Sequence, residues 1–319
     1  MKPRPYGMTS TAGTVALGMT KRLLNASRPE NLKLRIASYR RKQLERTWNK
    51  NLLEGRTVKR RLLGGAVIRL YPDDKLSELI FMNRFEFDEQ EFIWRFLRSE
   101  DTFVDVGANI GLFTLIAGRK VGPKGRVYSF EPSSNTHNRL VDNIECNQLS
   151  NIRCLRLALS DKSERLKLVS SIDGYAAWNS LGRPTAGSEF VTEEVECVTW
   201  DNFAVQNNLV GMVALIKMDI EGWELHALNG AASVLNRPDA PDLLVEFTEI
   251  NAVAAGTSCQ TVYRRLEDLG YEMYSISARE RVLYHERPRN QYPNFNILAT
   301  KCIDNVCERS RFRVSEVAR

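Results

Sequence analysis

A chain of 319 residues, 43% hydrophobic and 26% charged, has the balance of a globular protein with a sizeable core. No run approaches the roughly 20 apolar residues of a bilayer-spanning helix, and residues 12–19 are too short and glycine-interrupted for a secretory leader, so a cytoplasmic protein is expected. The net charge of +6 hides an asymmetry: residues 1–61 carry sixteen lysines and arginines against three glutamates, whereas the remainder has seven more acids than bases.

In chain order, residues 1 to about 30 are rich in proline, glycine, serine and threonine and are expected to be flexible. Residues 31–53 have helical periodicity, with Leu32, Ile36 and Tyr39 on one face and Leu44, Trp48 and Leu52 on another, among many basic residues. Such a helix suits docking on its own domain, a peripheral position on an anionic membrane surface, or an acidic partner. Residues 67–71 read as a strand ended by Pro72-Asp73-Asp74, and Asp88 is placed to cap a helix reaching about Arg98 that buries Phe92, Trp94 or Phe96, and Leu97.

From Thr102 strands and helices alternate. Strands are expected over 102–106, 126–130, 152–159, 213–218 and 243–247, with helices over 111–119, 135–147, 223–235 and 261–269. Residues 166–170 and 194–199 have strand character as an excursion, and 271–277 with 296–300 close the sheet. This alternation predicts an α/β fold with a doubly wound, mostly parallel sheet. The domain reading is a basic arm (1–61), a lead-in strand and helix (62–101), the α/β domain (102–300) and a basic C-terminal tail (301–319). The six cysteines include no Cys-x-x-Cys pair and the chain has three histidines, so a zinc site is not expected, and free thiols are.

Ligands of open α/β sheets sit beyond the carboxyl ends of the strands. The first strand runs into Asp105-Val106-Gly107-Ala108-Asn109-Ile110-Gly111, where glycines allow a tight turn before a helix N-terminus. The dinucleotide pattern Gly-x-Gly-x-x-Gly is not matched, and a carboxylate two residues before the first glycine suits a sulfonium or ammonium better than a diphosphate. Glu131, twenty residues after Gly111 at the end of the second strand, is placed to accept hydrogen bonds from ribose hydroxyls. The third strand ends in Leu157-Ala158-Leu159-Ser160-Asp161, beside an adenine, with Asp161 either reading its edge or serving as a turn acid. The fourth ends in Lys217-Met218-Asp219-Ile220-Glu221-Gly222-Trp223-Glu224, an unusual density of acids at a strand terminus.

Together these stretches resemble the FkbM family of S-adenosylmethionine-dependent methyltransferases. The likeness runs through Phe103-Val104-Asp105-Val106-Gly107-Ala108-Asn109-Ile110-Gly111-Leu112-Phe113-Thr114, Glu131-Pro132, Ala158-Leu159-Ser160-Asp161, Ile216 through Glu224 to Leu228-Asn229-Gly230, and Leu243-Leu244-Val245-Glu246. It covers residues 85–299. The resemblance implies the class I methyltransferase (Rossmann-like) fold, S-adenosylmethionine as cofactor and methyl transfer to oxygen. It places Asp105, Gly107, Ala108, Asn109, Gly111 and Thr114 at the methionine end of the cofactor, and Glu131 at the ribose.

An alcohol is a weak nucleophile and gains from a positioned base. Asp219, Glu221 and Glu246 are the expected candidates, with His226 less well placed on the following helix; Asp219 with Glu221 or Glu246 also offers oxygen ligands for a divalent cation, although no metal is assigned. Tyr175, Trp178 and Trp223 are weighed as acceptor contacts. The expected acceptor is a small molecule or glycan. Three alternatives stand beside this reading: an NAD-dependent oxidoreductase, a non-catalytic module that kept the pocket, and an RNA methyltransferase using the basic arm. Nucleic acid is not the expected partner, because the arm offers chiefly Tyr39 and Trp48 for stacking on bases.

Overall fold

The structure, a computed structural model, describes residues 29–171, 181–182 and 189–315. Most of the stretch expected to be flexible lies outside these residues, as do Tyr175 and Trp178. The chain divides into two compact units at Glu54. In the first, α1 (Pro29–Leu53) occupies the expected basic helix. Its Arg41–Glu45 pair, 3.2 Å apart at i,i+4, supports the helical turn. Ile36 and Tyr39 are exposed, so that face is not buried, whereas Trp48 is.

The second unit opens with an antiparallel ribbon, β1 (Val58–Arg61) and β2 (Val67–Leu70). The Asp74 carboxylate accepts the Leu76 and Ser77 amides and so starts α2 (Lys75–Phe81). The next helix, α3 (Phe87–Phe96), begins after Glu86, whose φ of 40° is left-handed. Asp88 does not cap it as expected, because its carboxylate reaches out of the first turn to the Ala278 amide at 2.9 Å.

The central layers follow: β3 (Thr102–Val106), α4 (Leu112–Val121), β4 (Arg126–Phe130), α5 (Ser134–Asn147) and β5 (Ile152–Leu155). The expected third strand over 152–159 is broken. Its last part, β6 (Ala158–Leu159), leaves the main sheet and joins β7 (Glu164–Ser171) and β8 (Phe190–Val198) in a small separate sheet. A helix not foreseen from the sequence, α6 (Trp200–Gln206), precedes β9 (Val213–Met218). The long helix expected over 223–235 is two short ones, α7 (Glu224–Asn229) and α8 (Ala232–Leu235). The break falls at Gly230, where a Cβ would stand 1.9 Å from the Ser160 carbonyl oxygen. Then come β10 (Asp242–Phe247), α9 (Glu249–Ala254), α10 (Cys259–Asp268), β11 (Glu272–Ser277), β12 (Val282–His285) and β13 (Phe295–Thr300). The segment expected as a tail instead folds as α11 (Ile303–Ser310) and β14 (Arg313–Ser315), the latter pairing with β12.

The nine-stranded sheet has the order β14-β12-β11-β13-β10-β9-β3-β4-β5. Strands β5 through β10 in that row are mutually parallel, and β13 enters antiparallel beside β10. This confirms the doubly wound α/β fold of class I methyltransferases, with the switch of winding direction between β3 and β9. Successive residues of a strand face opposite sides. Val104, Val106, Ile216, Met218, Val245 and Phe247 pack into the main core, where Trp200 and Phe203 of α6 meet Phe130. Their neighbours Ser129, Asp105, Lys217 and Glu246 are buried on the other side, so a polar row crosses the opposite face near the strand ends.

Two asparagines one turn apart on α5 stand in for a strand along the free edge of β2. The Asn147 amide oxygen accepts the Val67 N–H at 2.7 Å and its NH2 donates to the Val67 carbonyl at 2.6 Å. Asn143 treats Arg69 alike at 2.7 and 3.2 Å, and its NH2 also donates to the Ile110 carbonyl at 2.9 Å. Side chains four apart on a helix and amides two apart on a strand present similar spacings, which is what lets them mate. The ribbon is thereby fastened to the loop at the end of β3.

Candidate active site

The carboxyl ends of β3, β4, β9 and β10 open on one cavity of about 390 Å³, a size usual for small-molecule sites. The loop after β3 forms its floor. The amides of Gly107 and Ala108 both donate to the Phe130 carbonyl, at 3.0 and 2.9 Å, and the Asp219 amide donates to the Val106 carbonyl at 3.0 Å. These bonds draw the loop so close to the end of β9 that a Cβ on Gly107 would stand 1.8 Å from the Asp219 carbonyl oxygen, and Gly107 has φ of 80°. Glycine is required there on both counts.

Glu131 lines the cavity at the end of β4. Its carboxylate accepts the Asn109 amide at 3.0 Å and the Ser133 amide at 3.0 Å. Burial raises its pKa to about 7, against the pull of those two amides, with Asp105 and Glu193 adding repulsion. Leu157, Ala158 and Leu159 supply an apolar wall. Asp161 is not part of it: the Ser160 hydroxyl donates to its carboxylate at 3.2 Å, and it stands 3.6 Å from the His226 imidazole. His226 is likewise off the cavity, stacked at 3.9 Å on Trp223, which does line it and whose indole N–H donates to the Ser160 hydroxyl at 3.1 Å.

Of the six loop and helix residues expected at the methionine end, Gly107, Ala108 and Asn109 line the cavity, whereas Asp105, Gly111 and Thr114 do not. Asp105 points down into the buried polar row, because strand alternation sends it to the face opposite Val104 and Val106. Thr114 donates to its carboxylate at 2.6 Å and lies 2.8 Å from the Ser129 hydroxyl.

Asp219, Glu221 and Glu246 all line the cavity, and their oxygens come within 4.8 Å of one another. Glu221 sits at φ of 55° and accepts from the Asn251 side chain. Glu246 accepts the Thr248 hydroxyl at 2.8 Å through one oxygen, and its other oxygen is buried with no hydrogen-bond partner. Burial first, and then the neighbouring carboxylates, hold Glu221 and Glu246 well above the usual carboxylate range.

Two residues of this end were missed in the sequence. Lys217 is 1% exposed, yet its ammonium reaches the cavity, 2.7 Å from the Asp219 carboxylate, 3.8 Å from that of Glu86 and 4.5 Å from the centre of the Phe113 ring. Burial alone would lower its pKa, but Asp219, Glu86 and Asp105 together raise it. Glu86, from the lead-in, is pushed up to about 8 by burial. A lysine inside the apolar run Val213–Met218 was the available signal for the first. For Glu86 the sequence offered none, since a left-handed glutamate ahead of a helix has no pattern. Glu86, Asn109 and Glu221 are three non-glycine residues with positive φ that line the cavity, the kind of local strain that concentrates at functional sites.

Residues 105–273, more than half of the chain, match the family model described as the methyltransferase FkbM domain. The chain belongs to the FkbM family of S-adenosylmethionine-dependent methyltransferases. It is similar to methyltransferase sdnD of Sordaria araneosa, 29% identical across 42% of this chain and 61% of that protein. It is also similar to the hexuronic acid methyltransferase AglP of Haloferax volcanii, 29% identical across 48% of this chain and 65% of that protein. A solved FkbM methyltransferase from Methylobacillus flagellatus covers 72% of this chain and 55% of its own at 17% identity, with a TM-score of 0.37. The alignments span between 59% and 65% of the length of the curated relatives. Membership of the FkbM family sets aside the NAD-dependent oxidoreductase. S-adenosylmethionine is the FkbM cofactor, and the cavity suits it chemically, with a buried carboxylate on the β4 end, an apolar wall, and a cluster of acids on the β9 and β10 ends.

Proposed function

We propose that the protein transfers a methyl group from S-adenosylmethionine to a hydroxyl oxygen of a sugar, glycan or natural product-like small molecule. The observation that carries this reading is the shared cavity: Glu131 lies on the β4 end and the Asp219, Glu221 and Glu246 carboxylates on the β9 and β10 ends. With β3 between β4 and β9, two strand spacings, roughly 10 Å, separate the ribose carboxylate from the β9 end of the acid cluster, and three, roughly 14 Å, from its β10 end. That leaves room for a nucleoside on one side and an acceptor on the other. The name of the Haloferax relative adds support for a sugar acceptor.

When bound, S-adenosylmethionine supplies the methyl carbon on a sulfonium. Glu131 holds the ribose hydroxyls, and Gly107, Ala108 and Asn109 shape the floor under the methionine end. Among Asp219, Glu221 and Glu246, a carboxylate accepts the acceptor's hydroxyl proton as the oxygen–carbon bond forms, an effect worth about 10²–10⁴-fold. Alignment of oxygen, carbon and sulfur contributes the larger share. The test is calorimetric titration with S-adenosylhomocysteine, followed by mass-spectrometric screening of glycans and small metabolites for the gain of one methyl group. Absence of measurable affinity for the nucleoside in folded protein overturns the reading. Methylation of nitrogen rather than oxygen overturns the acceptor assignment.

A further inference from the structure

We infer that the ends of β9 and β10 hold one hard divalent cation, bound by Asp219, Glu221 and Glu246 with Asn296 beside them. The three carboxylates come from adjacent parallel strands and bring one oxygen each within 4.8 Å of the others, close enough to contract around an ion. Acids gathered at a strand end are not by themselves a cation site. What marks this cluster is buried oxygen atoms that no group among the described residues satisfies. The second oxygen of Glu246 is buried and has no hydrogen-bond partner, in a residue only 8% exposed. Asn296 is the cross-strand partner of Glu246 on β13, so both side chains rise from the same face of the sheet. It is 4% exposed, and its amide oxygen is likewise buried without a partner, while its NH2 donates to Glu89 at 3.4 Å. A buried oxygen left unsatisfied has given up its hydrogen bonds to water with nothing in return. Two such atoms on neighbouring side chains argue for a ligand rather than an accident.

The charge points the same way. Among the described residues Lys217 is the one ammonium lining the cavity, and it is divided between Asp219 and Glu86, with no ion pair to Glu246. The donor set is all oxygen, without thiol or imidazole, which selects magnesium, manganese or calcium over zinc or copper. All three acids line the cavity, so an acceptor hydroxyl can complete the ion's shell. The oxygen of that hydroxyl would then lose its proton more readily to one of the cluster's carboxylates; the oxygen–methyl bond forms as the sulfur–methyl bond breaks, and the electron pair of the broken bond stays on sulfur. This catalytic role, unlike the site itself, rests on the function proposed above.

The test is manganese titration of chelator-treated full-length protein followed by electron paramagnetic resonance, with magnesium as competitor. One manganese per chain is expected at or below roughly millimolar concentration, with magnesium displacing it. Glu246→Gln should weaken binding about tenfold or more. The same substitution should abolish the rise in melting temperature that magnesium gives the native chain. Manganese that fails to bind at such concentrations, or binds Glu246→Gln equally well, overturns the inference. Titration with S-adenosylhomocysteine on the same samples separates the two readings. Normal nucleoside affinity without manganese binding defeats the cation site alone, and manganese binding without nucleoside affinity defeats the methyltransferase reading alone.

Discussion

Glu131 carries its negative charge where both water and counter-charge are scarce, and its pKa of about 7 makes that charge dependent on pH within the working range. On the proposed reading ribose hydroxyls donate to the ionised form, so affinity for S-adenosylhomocysteine should rise as the pH is raised toward 7 and then level off, the slope below that point approaching tenfold per unit. Glu131→Gln should flatten this part of the profile, and Glu131→Ala should weaken binding by about 10–100-fold, the loss of charge-assisted hydrogen bonds; calorimetry across pH checks both. The sign for stability is opposite. A carboxyl group whose folded-state pKa is raised contributes stability below its ordinary value and loses it as the pH rises through about 7, so cofactor binding above that point relieves a strained charge. Lys217 behaves in another way. Replacing it with methionine leaves Asp219 and Glu86 facing each other without their shared ammonium, and should cost about 3–5 kcal/mol in chemical denaturation.

At the scale of elements, strands with strong apolar runs and helices between glycine and proline were legible in the sequence, since burial on both faces of a parallel sheet dictates composition directly. Val213–Met218 was read to the residue. What failed had tertiary causes. Gly230 divides a continuous helical pattern because another loop's carbonyl occupies its Cβ position, and Ala158–Leu159 leaves the main sheet to pair with β8. The acid cluster was legible because acids at a strand end stand out. The resemblance placed Asp105, Gly111 and Thr114 at the methionine end of the cofactor, and none of them lines the cavity; spacing along the chain could not correct this, since it gives distance from the loop but not the face of the strand. The asparagine pair on α5 was invisible for a similar reason: two polar residues four apart read as a solvated stripe, and their partner, the edge of β2, lies some seventy residues away. Asn143→Ala should free the Arg69 amide and loosen the Ile110 carbonyl, costing about 2–3 kcal/mol for the unsatisfied groups. Hydrogen exchange should show faster exchange at Arg69 with little change at β9.

On the scale of the whole molecule, charge and chemistry are separated along the chain. The positive surplus belongs to residues 1–61, and the cavity to the unit that begins at Gly55. Among the described residues no helix is long and apolar enough to cross a membrane, whereas α1 exposes Arg35, Arg40, Arg41, Lys42, Arg46 and Lys50. An accessory role for this helix predicts that protein lacking residues 1–54 keeps its affinity for S-adenosylhomocysteine but loses salt-sensitive retention on phosphatidylserine vesicles. Equal retention of both forms in flotation assays would sink that role.

The cavity is also lined from two parts of the chain. Glu131, Asp219, Glu221 and Glu246 fall within residues 105–273, the stretch that matches the family, but Leu76, Leu79, Arg84, Phe85, Glu86 and Asn294 close the same space from outside it. On the proposed reading, a graft of the shared stretch between two relatives would carry over Glu131 and the acid cluster but leave the recipient's own residues closing the rest of the space, so selectivity could change without any change in that stretch.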